Sequence, residues 1–186
     1  MGEIRIVSGR FRGRKIEAPE GRITRPLLTR LRKSLVDTLR PRLAGSRVLD
    51  LFGGSGAIAF ELLSNGASEA VVVEMDESAA RAIEGNARVL GASVRVRRGD
   101  CLVEAPRLDR AGERFDVVIA APPYNQGLQE KAMEIIAGTG LLARGGTVVV
   151  QRDHREPQWP GGASLVLTET RRYGRTVFDF YTGEKG

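Results

Sequence analysis

A single cysteine, Cys101, in a chain of 186 residues leaves no internal disulfide to form and no cysteine cluster for zinc. A single histidine, His154, removes every metal motif that needs two. No apolar run approaches the roughly 18 residues of a membrane span, and the basic N-terminus lacks the apolar stretch of a secretory signal. These absences lead to the expectation of a cytoplasmic domain with no metal and no membrane partner. What is present suffices for one packed core, because 41% of the residues are hydrophobic and the length suits one ordinary domain with a small appendage.

Charge is segregated along the chain. Residues 1–47 hold 13 basic and 4 acidic side chains, whereas residues 48–186 hold 16 and 19. Of the 29 basic residues 25 are arginine, the side chain better suited to forked phosphate contacts and to stacking on bases. A basic segment attracts polyanions at long range, so nucleic acid is the expected partner.

The chain reads as a basic N-terminal hairpin and helix (1–45) followed by a larger domain (46–186). Residues 4–8 and 14–17 alternate apolar with polar around the arginine-rich Gly9–Gly13, which predicts a β-hairpin. Leu28, Leu31, Leu35 and Leu39 share one helical face that ends at Pro41, with Arg30, Arg32, Lys33 and Arg40 off it. Beyond residue 46, strands at 47–51, 70–75, 93–98 and 115–120 alternate with glycine turns and helices near 56–65 and 77–90. A helix near 127–137 and a strand at 146–151 follow. This alternation predicts a parallel sheet covered by helices. Strands at 165–170 and 176–181 flank Arg171–Arg175 and predict a closing antiparallel hairpin.

The sharpest local motif is Val48–Gly56, a buried strand running into a glycine turn that opens a helix. Glycines there let a ligand approach the backbone, and helix N–H groups face it. Gly54–Ala59 also fits the dinucleotide fingerprint, with Glu74 ending the next strand as a ribose-binding acid. The loop alone leaves NAD and S-adenosylmethionine both open. Asp50, just before the glycines, favours a cofactor with an ammonium or sulfonium over a pyrophosphate. Gly99-Asp100-Cys101 follows the third strand, placing a carboxylate near an adenine edge or at a helix start. After the fourth strand, Ala121-Pro122-Pro123-Tyr124 fixes the backbone and offers a flat ring at the carboxyl end of the sheet, which suits a planar group bearing an amine.

In this order, Asp50–Gly56, Val73–Asp76, Gly99-Asp100 and Ala121–Tyr124 resemble the S-adenosylmethionine-dependent methyltransferases that act on exocyclic amino nitrogens. With Ile4–Lys15 and Thr24-Arg25-Pro26 added, essentially the whole chain resembles the bacterial ribosomal small-subunit methyltransferase D family. The resemblance implies a Rossmann-like fold with a mostly parallel seven-stranded sheet, a C-terminal antiparallel hairpin and an N-terminal β-hairpin extension. It implies methylation of the N2 amino group of guanine-966 in 16S rRNA, in a 30S subunit or an assembly intermediate. By the same resemblance Asp50, Gly53, Gly54 and Gly56 hold the methionine end of S-adenosylmethionine, Glu74 the ribose hydroxyls and Asp100 the adenine amino group, with Phe52, Met75 and Cys101 also in the cofactor site. Ala121, Pro122, Pro123 and Tyr124 receive the flipped base, and Arg10, Arg12, Arg14, Lys15, Arg25, Arg30, Arg32 and Lys33 grip the RNA.

The sequence departs from the pattern at Ala121, where amino-methyltransferases carry Asp or Asn, whose side chain accepts a hydrogen bond from the amine. The remaining acceptor in the motif is main-chain carbonyl, foremost that of Pro122; an oriented polar partner at a transition state is worth ~2–4 kcal/mol. Gly53 stands where the family more often has Ala, a change that leaves the turn undisturbed. The rival readings are an NAD(P)-dependent oxidoreductase, an RNA-binding protein on a methyltransferase scaffold weakened by Ala121, and a DNA amino-methyltransferase. His154 reads as a surface or RNA-contacting residue, Trp159 as loop packing and Cys101 as a small buried hydrophobe.

Overall fold

The computed structural model describes residues 2–19, 26–162 and 164–183. Among them no helix is long and apolar enough to cross a membrane. The chain divides into two compact units, Met1–Asp100 and Cys101–Gly186.

In the first unit, β1 (Gly2–Arg5) and β2 (Lys15–Ala18) form the antiparallel hairpin, with Ile4 opposite Ile16. Alternation turns Ile4, Ile16 and Ala18 inward. The hairpin tip is not a free arm. Gly9 has a positive φ of 74°, which lets the Arg10 N–H donate to the Ser64 carbonyl at 2.8 Å and the Phe11 N–H donate to Ser64 Oγ at 2.9 Å. Phe11 is buried beneath these bonds. Glu17 and Asn86 exchange two bonds, the Glu17 N–H donating to Asn86 Oδ1 at 2.9 Å and Asn86 Nδ2 donating to the Glu17 carbonyl at 2.8 Å.

Helix α1 (Pro26–Leu39) buries Leu31, Leu35, Val36 and Leu39, and Pro41 lies in a short 3-10 turn beyond it. Strands β3 (Arg47–Asp50), β4 (Glu69–Glu74) and β5 (Val94–Arg98) are parallel, in the order β5-β4-β3. Helices α2 (Ala57–Ser64) and α3 (Glu77–Leu90) connect them. Helix α3 starts cleanly because Asp76 accepts a hydrogen bond from the Ala79 N–H at 2.7 Å, and it stops at Gly91 with a positive φ.

Arg32 departs from the sequence reading. It lies 8% exposed with Nε 3.6 Å from Glu61 Oε1, and its Nη2 donates to the Arg5 carbonyl at 3.3 Å. Glu61, on α2, is fully buried and also accepts from the Val7 N–H at 2.9 Å. Burial pulls the Arg32 pKa down and pushes that of Glu61 up. Arg32 therefore ties the N-terminal segment to α1 and α2 and is withdrawn from the group of solvent-facing cations. Arg25 lies outside the described residues.

The second unit comprises α4 (Cys101–Arg110), β6 (Phe115–Ala120), α5 (Leu128–Gly138), β7 (Leu142–Asp153), β8 (Leu165–Tyr173) and β9 (Thr176–Gly183). Strand β7 runs parallel to β6 and antiparallel to β9, which pairs antiparallel with β8. Helix α4 was not read from sequence, because Pro106 sits inside it and masks the helical pattern. Strand β7 begins earlier than its apolar run. It pairs at Leu142 with Phe115, then shifts register so that Thr147 meets Val117. The last hairpin turns tightly at Gly174-Arg175, with Tyr173 opposite Thr176. All seven strands from β3 onward belong to one sheet, in the order β5-β4-β3-β6-β7-β9-β8, mostly parallel and antiparallel at β7-β9-β8. The Rossmann-like fold with an N-terminal hairpin extension is therefore the architecture of this chain.

The tip contact is testable. A Cβ on Gly9 would stand 1.9 Å from the Ser64 carbonyl oxygen, and the positive φ disfavours any side chain. Gly9→Ala is expected to lower stability by on the order of 2 kcal/mol in urea unfolding and to unprotect the Arg10 and Phe11 amides in hydrogen exchange. Unchanged protection would mean that the tip is not held by Ser64.

Candidate functional site

The carboxyl ends of β3 and β4 build a compact acidic cradle. Asp50 closes β3, is 1% exposed, and accepts from the Phe52 N–H at 3.2 Å through Oδ1. Burial pushes the Asp50 pKa up to about 7; the Phe52 N–H opposes the rise and the nearby Glu74 charge adds to it. Behind Asp50 the turn is cross-linked. The Gly53 N–H donates to the Val73 carbonyl at 2.9 Å and the Gly56 N–H to the Gly53 carbonyl at 2.7 Å. Gly54 and Gly56 both have positive φ. Gly53 is required for another reason, since a Cβ there would lie 2.4 Å from Val72 Cγ1. An alanine at 53 needs Val72 to move, so glycine here is matched to its neighbour on β4.

Glu74 is the centre of the cradle. It is 7% exposed, and its Oε2 accepts from the Gly54 N–H at 2.5 Å while Oε1 accepts from the Asp76 N–H at 2.8 Å. Three glycine-turn amides are therefore already engaged, that of Gly53 by Val73, that of Gly54 by Glu74 and that of Gly56 by Gly53. A pyrophosphate needs such N–H groups free and positive potential around them. Here it would meet two carboxylates. The donor set fits a ligand with a positive centre and hydroxyl donors instead. The Gly99 N–H donates to the Glu74 carbonyl at 3.0 Å, which brings Asp100 beside the end of β4. Asp100 is exposed and directly precedes α4, Phe52 is half-buried, Met75 is 76% exposed, and Cys101 is buried in the first turn of α4.

The loop after β6 belongs to the second unit. Pro122 is buried, Pro123 exposed, and Ala121 and Tyr124 half-buried. Gln151 Nε2 donates to the Tyr124 hydroxyl at 2.9 Å, and that hydroxyl is hydrogen-bonded to Thr176 Oγ1 at 2.9 Å. Burial pushes the Tyr124 pKa up, so the ring stays neutral. Asn125 has a φ of 59°, alone among the described non-glycine residues in being positive, and its N–H donates to Glu156 Oε1 at 2.6 Å. Glu156 Oε2 accepts from the Asp153 N–H at 2.7 Å. Gln151, Glu156 and Thr176 were not read from the sequence; they reach the loop from β7, the turn after it and β9.

His154 is half-buried with Nδ1 3.2 Å from Asp153 Oδ1. Asp153 also takes Arg155 and Arg175, and these contacts hold its carboxyl well below the usual range. Trp159 packs edge-on against Tyr181, whose hydroxyl donates to the Trp159 carbonyl at 2.7 Å. No group of three or more His, Cys, Asp or Glu able to hold a metal occurs among the described residues.

On the N-terminal segment Arg10, Arg12, Arg14, Lys15, Arg30 and Lys33 are exposed. The Arg10 guanidinium lies 4.5 Å over the Phe11 ring, Arg14 donates to the Val89 carbonyl at 3.1 Å, Lys15 pairs with Glu3 at 2.6 Å and Lys33 with Asp37 at 2.7 Å. An open cleft of about 470 Å³ flanks the tip, with Arg10, Arg40 and Asn65 in its wall.

Comparison with known proteins bears on this geometry. Residues 4–182 match the family described as Conserved hypothetical protein 95. The chain is 32% identical to the protein named Ribosomal RNA small subunit methyltransferase D of Escherichia coli (strain K12), over 98% of this chain and 91% of that one. Among solved structures it is similar to yhhF from Escherichia coli, with a TM-score of 0.86, 29% identity and 100% of both chains covered. The methyltransferase-fold protein SMU.776, crystallised with SAH, has a TM-score of 0.69 at 12% identity over 90% of this chain and 53% of that one, a likeness of fold alone.

The Asp50 environment makes a pH prediction. Between about pH 4 and 7 the folded chain retains a proton on Asp50 that the unfolded chain has released. Its contribution to stability therefore falls as pH rises through that window and levels off above it. Asp50→Asn is expected to reduce the decline in urea-unfolding free energy between pH 5 and pH 7.5. An identical decline in both proteins would show that Asp50 titrates normally.

Proposed function

Because this chain belongs to the family described as Conserved hypothetical protein 95, that of ribosomal RNA small subunit methyltransferase D, we propose that it methylates the exocyclic N2 amino group of a guanine in 16S rRNA, guanine-966, with S-adenosylmethionine as methyl donor. The observation that carries this reading is the Glu74 cradle, which engages the Gly54 N–H and surrounds the turn with carboxylate. That arrangement disfavours the dinucleotide of the oxidoreductase alternative.

When bound, S-adenosylmethionine supplies an electrophilic methyl on a sulfonium whose sulfur leaves as a neutral thioether. Asp50, with Phe52, Gly53, Gly54 and Gly56, holds the positively charged methionine end. Contact with a cation favours the ionised Asp50 carboxyl, offsetting the burial that raises its pKa. Glu74 takes the ribose hydroxyls on oxygens already oriented by backbone N–H groups, with Met75 beside it, and Asp100 and Cys101 border the adenine.

In the second unit, Tyr124 is the stacking surface for the flipped guanine. Its hydroxyl is tethered on two sides, so little rotational freedom remains to be lost when a base arrives. Base extrusion costs a few kcal/mol, which stacking partly offsets. Pro123 stiffens the loop, and the carbonyl of the buried Pro122, which accepts no hydrogen bond from the described residues, is the main-chain acceptor for the amine. No general base is required, since the nitrogen can release its proton to water after transfer, and alignment supplies much of the rate. Arg10, Arg12, Arg14, Lys15, Arg30 and Lys33, with Arg25 by family resemblance, grip phosphates of the RNA in a small subunit or its assembly intermediate, giving affinity and register. The protein works in the cytoplasm on this reading.

The test is incubation with methyl-labelled S-adenosylmethionine and small subunits lacking rRNA modifications, followed by nuclease digestion and mass spectrometry. The expected product is N2-methylguanine at one 16S position. Label on adenine or cytosine, or no label from protein that binds the cofactor, would overturn the assignment.

A further inference from the structure

Position 121 lacks the side-chain acceptor that orients an amine, yet the neighbouring strand carries one. Strands β6 and β7 run in parallel register up to the pair Ala120 and Val150. One residue further along each chain stand Ala121 and Gln151. Gln151 is half-buried, and its Nε2 donates to the hydroxyl of Tyr124 in the same loop. That bond fixes the amide plane and commits its donor end. Its carbonyl Oε1 accepts no hydrogen bond from the described residues.

The carboxylates that β7, the turn after it and β9 bring near this loop are engaged. Glu156 takes the Asn125 and Asp153 N–H groups on its two oxygens. Asp153 is held by Arg155 and Arg175, and Asp179 by Arg152, Thr170 and Gln158. Gln151 Oε1 is thus an open, oriented side-chain acceptor beside Ala121–Tyr124.

Resting on the methyltransferase reading above, we propose that Gln151 is a catalytic residue whose Oε1 accepts a hydrogen bond from the amino group of the base stacked on Tyr124, in place of the side chain absent at position 121. The amine donates one N–H to this carbonyl, which fixes the direction of its lone pair. A neutral amide does not take up the proton, so the proton leaves to water. One side chain then tethers the stacking ring through its nitrogen and aligns the amine through its oxygen.

The experiment compares wild type, Gln151→Met and the double variant Gln151→Met with Ala121→Asp. The readouts are single-turnover methyl transfer to unmodified small subunits, cofactor affinity by calorimetry, and affinity of the cofactor-free protein for target RNA with guanine or hypoxanthine at the methylated position. Hypoxanthine lacks the amino group. Gln151→Met is expected to slow transfer about 100-fold with cofactor affinity intact. Wild type should prefer guanine over hypoxanthine by roughly 2- to 10-fold, and Gln151→Met should lose the preference. Asp at 121 should restore at least about tenfold of the rate, because it supplies an acceptor without replacing the tether to Tyr124. A wild-type rate in Gln151→Met, a slow Gln151→Met that Asp at 121 does not rescue, or a wild type indifferent to the amino group would overturn the proposal. The last of these holds whether or not the variants fold. Wild type that transfers no methyl to the RNA would overturn the parent reading, which separates the two failures.

Discussion

One buried carboxylate organises the first unit. Glu74 accepts the Gly54 N–H on one oxygen and the Asp76 N–H on the other, locking the turn after β3 to the turn after β4. Hydrogen bonds to a carboxylate are among the stronger ones, and removing the Gly54 bond would uncouple the two turns. The consequences extend beyond stability. A glycine turn that elsewhere cradles phosphates has its Gly54 N–H engaged, and the buried Asp50 nearby adds a second acid. The same backbone motif thereby presents carboxyl oxygens where a phosphate cradle presents free N–H groups.

Helix α2 carries that constraint to the basic segment. It begins at the left-handed Gly56 of the turn, and Glu61 and Ser64 of its last turn, with Asn65 that caps it, hold the hairpin tip. The buried Arg32 and Glu61 pair joins α1 to the same point. Such a pair adds little net stability, because desolvation consumes most of the attraction. What it does supply is an angular constraint on where the hairpin sits relative to the helix. The exposed arginines therefore stand on a framework fixed to the element that opens at the cradle.

Much of this was legible in the sequence, for physical reasons. Val/Ile runs that end in glycine turns have few alternatives to parallel strands, and the 20-residue spacing from Gly54 to Glu74 matches one helix and one strand. What escaped depends on contacts distant in sequence. Arg32 lies off the leucine face of α1 and so looked solvent-facing, but Val36 one turn later is also buried, which widens the packed face to include it. Its partner Glu61 had left a signal, as the one acid in the apolar run Ala57–Ser64. Gln151, Thr176 and Glu156 left none. They become neighbours of Tyr124 through the pairing of β6, β7 and β9, and no local pattern marks the residue at which a strand passes a loop.

The central claim is that the glycine turn, with Asp50 and Glu74, selects a positively charged nucleoside over a dinucleotide. Calorimetric titration of the purified chain with S-adenosylmethionine and, separately, with NAD tests it most directly. Saturable one-site binding of S-adenosylmethionine with no heat from NAD at millimolar concentration is the predicted result. Saturable binding of NAD, with S-adenosylmethionine silent or equal to it, would contradict the account.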